Sequence, residues 1–191
     1  MTCSLYLASA SPRRAELLEQ IGVSFEQIKV EVDETPVHGE SPTELTCRLA
    51  AEKAAAGVIQ SRNSPVKVLA GDTVVVIDDM ILGKPQDAEE AMQMLTRLAG
   101  RTHEVYSAVA ISDSECLETR LNVSRVTFAP LTREDIQAYI ETGEYLGRSG
   151  SYAIQGRGAC LVKRLEGSYS GVMGLPLYET SQLLARFGLY G

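Results

Sequence analysis

A mixed-sheet α/β domain is the fold that this chain predicts, and three observations predict it. Strand-like and helix-like patterns alternate through the first hundred residues. The middle holds two long β-prone runs, Thr102 to Ser112 and Cys116 to Phe128, separated by a turn at Asp113-Ser114. Between these regions, residues 66–77 form a nearly unbroken apolar run of the kind a buried strand requires. At 191 residues the chain can bury a sizeable core. With no repeat, low-complexity tract or Pro/Gly-rich linker, it reads as one domain over 1–191.

The elements follow in order. Leu5 to Ala8 is a short strand; Ser11 then takes an N-cap position with Pro12 as the first helical residue, and this helix buries Leu17, Leu18 and Ile21 before stopping at Gly22. Ile28, Val30 and Val32 alternate as a strand, and a loop runs from Asp33 to Glu40. Ser41-Pro42-Thr43-Glu44 has the form of a capping box and opens a long alanine-rich helix to about Gln60. After the apolar run, Asp78-Asp79 makes a turn into Met80-Ile81-Leu82. Asp87 and Glu90 open a helix carrying Ala91, Met94, Leu95 and Leu98, closed by Gly100. Beyond the central hairpin, Thr132 caps a helix that ends at Gly143. A Gly-rich loop leads to a strand from Ala159 to Leu165, a second Gly-rich segment reaches Gly174, and a last helix spans Pro176 to Phe187.

Composition excludes several function classes. The net charge of −7 argues against a DNA or RNA surface, which needs clustered Lys and Arg. No run reaches the length of a membrane span, and the first residues lack the basic-then-apolar form of a secretory signal, so a cytoplasmic location is expected. Cys3, Cys47, Cys116 and Cys160 are scattered and accompanied only by His38 and His103, which disfavours zinc and fits reduced thiols.

Asp72 interrupts the apolar run. A carboxylate in such surroundings is costly unless a cation, a metal or donated hydrogen bonds compensate it. Gly71 before it lets another group approach the backbone. Arg13 and Arg14 occupy the first turn of the first helix, the end at which the macrodipole disfavours cations, and an anion held between them would reverse that penalty. Lys53 stands mid-helix among alanines, Lys84 in a turn between Gly83 and Pro85, and Glu34 in a loop beside Asp33. Taken singly these three read as a snorkelling lysine, a turn lysine and a solvated acid. Taken together, cations for phosphates and carboxylates for a metal and a water form the set that phosphoanhydride cleavage needs, with Mg²⁺ or Mn²⁺ on oxygen ligands.

Five motifs in order then resemble the Maf family: Leu5-Tyr6-Leu7-Ala8-Ser9-Ala10-Ser11-Pro12-Arg13-Arg14, Gly71-Asp72-Thr73, Gly83-Lys84-Pro85, Tyr152-Ala153-Ile154-Gln155-Gly156 and Gly174-Leu175-Pro176. The resemblance covers about residues 4 to 188. It implies an elongated, twisted mixed sheet with two lobes around a cleft, similar to Ham1 and ITPase-like proteins, and a divalent-metal-dependent nucleoside triphosphate pyrophosphatase compatible with a homodimer. Through it, Asp72 takes the catalytic acid position, as proton acceptor or metal ligand with Glu34. Arg13, Arg14, Lys53 and Lys84 take phosphate-binding positions. Arg13, Thr73 and Gln155 resemble the branch that prefers dTTP and UTP, and the Gln155 carboxamide offers the donor and acceptor that match a uracil or thymine edge. One segment departs from the family pattern: Glu144-Tyr145-Leu146-Gly147-Arg148-Ser149-Gly150 has Gly147 in place of a carboxylate and Arg148 in place of Lys. The family's link to septum formation supports a second expectation, a nucleotide-binding regulator of cell division with little hydrolysis.

Overall fold

The computed structural model describes residues 5–61 and 66–190. Its seven-stranded mixed sheet is flanked by helices, with strands ordered β2-β1-β3-β5-β6-β7 and β4 paired to β3. β1 (Leu5–Ala8) is parallel to both β2 (Glu26–Ile28) and β3 (Lys67–Ile77). β3 pairs antiparallel with β4 (Met80–Leu82), and β6 (Leu117–Phe128) with β7 (Val162–Glu166). β5 spans Thr102–Ser112. The helices are α1 (Pro12–Gln20), α2 (Pro42–Gln60), α3 (Ala88–Leu98), α4 (Arg133–Ile140), α5 (Tyr169–Met173) and α6 (Leu177–Arg186).

Local chemistry explains most boundaries. The Ser41–Glu44 capping box forms in full: the Ser41 hydroxyl accepts from the Glu44 N–H, and the Glu44 carboxylate accepts from the Ser41 N–H. Thr132 and Asp135 repeat the arrangement on α4, and Asp87 caps α3 through the Glu90 N–H. Asp78 and Asp79 adopt φ of 51° and 60°, the left-handed pair that a tight hairpin between β3 and β4 demands.

Ser11 stands at the N-cap of α1 with Pro12 first in the helix, as expected, although its side chain makes no capping hydrogen bond there. Three expectations need correction. Val30 and Val32 lie outside β2, because β1 ends at Ala8, the partner of Ile28, and the chain beyond has no ladder to join. Residues Gly156–Leu161 wind as a 3-10 helix, so the strand expected from Ala159 starts at Val162. The segment before Gly174 contains the short helix α5. Cys3 lies outside the described residues; Cys47, Cys116 and Cys160 are free thiols.

The chain divides into two compact units: residues 1–72, 107–122 and 174–191, and residues 73–106 with 123–173. In the first unit, small residues pack α2 on the sheet: Ala50 and Ala54 meet Ala8, Val68, Ala70, Ala108 and Ala110. Gly57 carries this furthest, since a Cβ there would stand 2.6 Å from Val68 Cγ1. In the second unit, α3 and α4 bury Leu95, Leu98, Ile136 and Tyr139 with Val75, Val105 and Phe128 of the strands. Among the described residues, no helix is long and apolar enough to cross a membrane.

Candidate active site

Asp72 lies within β3 and is 8% exposed, with Ala70 and Val74 buried on either side. Its charge is met directly. The Lys53 ammonium donates to Asp72 Oδ1 at 2.7 Å and pairs with Glu34 Oε1 at 2.6 Å. The Lys53 side chain is only 12% exposed, so it is no snorkelling surface lysine; it bridges two carboxylates. The reach follows from α2: Lys53 and Gly57 share one face a turn apart, and they address Asp72 and Val68, which share one face of β3.

Arg14 completes this group. Its Nε donates to the Gly174 carbonyl at 2.8 Å and its Nη1 to Ser9 Oγ at 3.2 Å. The guanidinium passes the bare face of Gly71, where a Cβ would lie 3.3 Å from Nε. Burial pulls the Arg14 pKa down, and the charges of Asp72 and Glu34 pull it back up. Arg13, the preceding residue in the first turn of α1, is partly buried. Arg14, Glu34, Lys53 and Asp72 thus form one electrostatic cluster in the first unit. Sequence reasoning assigned no role to Ser9 or to the Gly174 carbonyl, although both lie in motifs it singled out. Ser9 also accepts the Ser11 N–H, a short-range hydroxyl turn that the Ser-Ala-Ser-Pro spelling signals.

Thr73, Lys84 and Gln155 belong to the second unit. The Thr73 carbonyl accepts from the Ser149 hydroxyl at 3.0 Å, and the Gly83 carbonyl beside Lys84 accepts from the Gly150 N–H at 3.0 Å. Gly150, at φ 68°, lies so close over Val75 that a Cβ would fall within 2.9 Å of it. The departing segment is therefore fastened to β3, through a hydroxyl that an alanine would lack. Gln155 precedes the 3-10 helix, and among the described residues its buried Oε1 accepts no hydrogen bond. Two tyrosines hold the chain before it. Tyr139 Oη accepts from the Ala153 N–H at 3.1 Å, and Tyr152 Oη pairs with His103 Nε2 at 2.8 Å, within edge-to-face contacts to Phe128. Burial raises both tyrosine pKa values, Tyr139 to about 12, and depresses that of His103 to about 4, so all three are neutral at pH 7.

The family model described as Maf-like protein matches residues 4–187. The chain belongs to the Maf family. Similar Maf relatives include the dTTP/UTP pyrophosphatases of Shigella dysenteriae serotype 1 (strain Sd197) and Escherichia coli (strain K12), and the nucleoside triphosphate pyrophosphatase of Shigella flexneri. Each is 50% identical over 184 residues, covering 96% of this Maf chain and 93% of the relative. Among solved structures, that of the Staphylococcus aureus Ham1 protein aligns over 96% of both chains at 15% identity, with a TM-score of 0.49.

Among the described residues of this Maf protein, no group of three or more His, Cys, Asp or Glu gathers as a self-sufficient metal centre. Asp72 and Glu34 bring two carboxylates together, and the Lys53 ammonium stands where Oδ1 of the one and Oε1 of the other meet. That number suits a hard divalent ion whose remaining ligands are water and substrate phosphates.

Proposed function

We propose that this Maf protein hydrolyses nucleoside triphosphates between the α and β phosphorus atoms, preferring dTTP and UTP, and releases the nucleoside monophosphate and pyrophosphate. The observation that carries the reading is the buried Asp72 carboxylate, placed against the apolar pattern of its strand and held 2.7 Å from the Lys53 ammonium. Relatives half identical in sequence and bearing the name dTTP/UTP pyrophosphatase support the reaction class.

In this reading, water attacks the α-phosphorus. Asp72 Oδ1 is engaged by Lys53, and the second oxygen of the same carboxylate receives the proton. Arg13, Arg14, Lys53 and Lys84 neutralise phosphate oxygens, with Arg14 aimed in advance by Ser9 and Gly174. Glu34 and Asp72 would hold a divalent cation, Mg²⁺ or Mn²⁺, which would polarise the phosphate and offset its charge. Gln155 reads the base. Its buried acceptor, orphaned at a cost of about 1–3 kcal/mol, is satisfied by the N3–H of uracil or thymine, while its NH₂ donates to the neighbouring carbonyl. Thr73 assists that choice from a backbone position fixed by Ser149.

Pyrophosphate release measured over a panel of nucleotides with Mg²⁺ or Mn²⁺ tests the reading. Turnover of dTTP and UTP well above that of CTP and the purine nucleotides is expected. Tight nucleotide binding without pyrophosphate would refute hydrolysis and leave a regulator in its place.

A further inference from the structure

Within the second unit, the chain from Glu144 to Gly158 folds back on itself. The Glu144 carboxylate spans the return: Oε1 accepts the Arg157 N–H at 3.0 Å and Oε2 the Gly158 N–H at 3.1 Å. It also fills the space a side chain at Gly156 would need. Gly156 adopts φ 66°, and a Cβ there would lie 2.6 Å from Glu144 Oε1. Gly158 is seated just as tightly, its Cβ position falling against the Ala153 carbonyl oxygen.

Gln155 stands in the middle of this span. On its N-terminal side the backbone is held by the Tyr139 hydroxyl, a neutral contact. On its C-terminal side the hold is a carboxylate with one oxygen for each of two successive amides, the stronger, charge-assisted kind of bond. The Gln155 carboxamide oxygen is buried, and among the described residues no hydrogen bond aims it. Its direction is therefore inherited from the backbone, which Tyr139 holds on one side and Glu144, by the stronger contact, on the other.

We infer that Glu144 is a positioning residue that sets base discrimination by holding Gln155 in the pose that reads a pyrimidine edge. The inference rests on the reading of Gln155 given above. A glutamine at 144 keeps the shape but turns one of the two acceptors into a donor facing an N–H, so the clamp cannot close on both amides.

The test compares kcat/KM for UTP with that for CTP, two bases of one size that differ in the edge a carboxamide pairs with. It is run in the full-length protein, in Glu144→Gln, in Gln155→Ala and in the double variant. Glu144→Gln is expected to lower the UTP:CTP ratio by about tenfold, the equivalent of one hydrogen bond, through a higher KM for UTP rather than a lower kcat. In the Gln155→Ala background the same substitution should change the ratio by less than about twofold, because the two act as one unit. A Glu144→Gln ratio equal to the parent's, while Gln155→Ala lowers it, overturns the inference alone. So does an equal fall in both backgrounds. An unchanged ratio in Gln155→Ala removes base reading by Gln155, and the inference with it. Should Glu144→Gln fail to fold, Glu144→Asp, which keeps the charge but is one methylene too short to reach both amides, decides by the same ratios.

Discussion

Asp72→Asn separates chemistry from stability because of how its charge is compensated. At 2.7 Å and an effective dielectric of about 20, the Lys53–Asp72 attraction is about 6 kcal/mol gross, most of it offset by desolvation of two nearly buried groups. Replacing the carboxylate by its carboxamide leaves a neutral oxygen for the ammonium to bond. Glu34 stays 2.6 Å from Lys53, so the lysine charge is never left without a counter-charge. The net loss should be about 1 kcal/mol, a fall of roughly 2–4 °C in Tm for a chain of this size. The proton acceptor, by contrast, is gone. Loss of a general base lowers turnover by about 10²–10⁴-fold, or roughly 3–5 kcal/mol of transition-state stabilisation. Pyrophosphate release from UTP at saturating metal, measured beside thermal unfolding, gives both numbers. A folded variant retaining more than about a fifth of parental kcat would refute the role given to Asp72.

Lys53→Met makes the opposite perturbation. It leaves a buried carboxylate beside Glu34 with the bridging ammonium gone, and should cost about 2–3 kcal/mol, less than a fully buried pair because Glu34 is 47% exposed; an unchanged urea midpoint would contradict this. His103 supplies a pH signature. Its folded pKa of about 4 lies below the ordinary 6.5, so the unfolded chain binds the extra proton first. Its contribution is complete above pH 6.5 and is lost as pH falls towards 4, by about 3 kcal/mol at most. Urea unfolding between pH 6.5 and 4.5 should show this slope, and His103→Gln, which cannot titrate, should flatten it.

Strands and caps were legible in the sequence wherever pattern and partner agreed. The apolar run of β3, the Asp78-Asp79 turn and the Ser41–Glu44 box each contain their own cause. Val30 and Val32 have the right alternation, but β1 is too short to pair with them, and no local pattern encodes a neighbour's length. Ala159-Cys160-Leu161 looks strand-like, yet the tight seats of Gly156 and Gly158 bend the backbone first. The same holds for the candidate site. Asp72 declared itself by contradicting its surroundings. Lys53 and Glu34 did not, since a pairing that joins a helix, a loop and a strand leaves no mark on any one of them; singly they read as a surface lysine and a solvated acid, and the family resemblance gave them their roles. Glu144 entered the sequence reading merely as the start of a departing segment; its meaning is a contact made thirteen residues later.

Gly57 has no side chain to offer the site, and that is its contribution. It works as a missing shim: Val68 Cγ1 stands where a Cβ would need room, so α2 sits closer to the sheet than a side chain there would allow. Any larger residue would lift the helix like a wedge and draw the ammonium one turn away back from the strand it must touch. The working distance at Asp72 is thus calibrated by a position that carries no functional group.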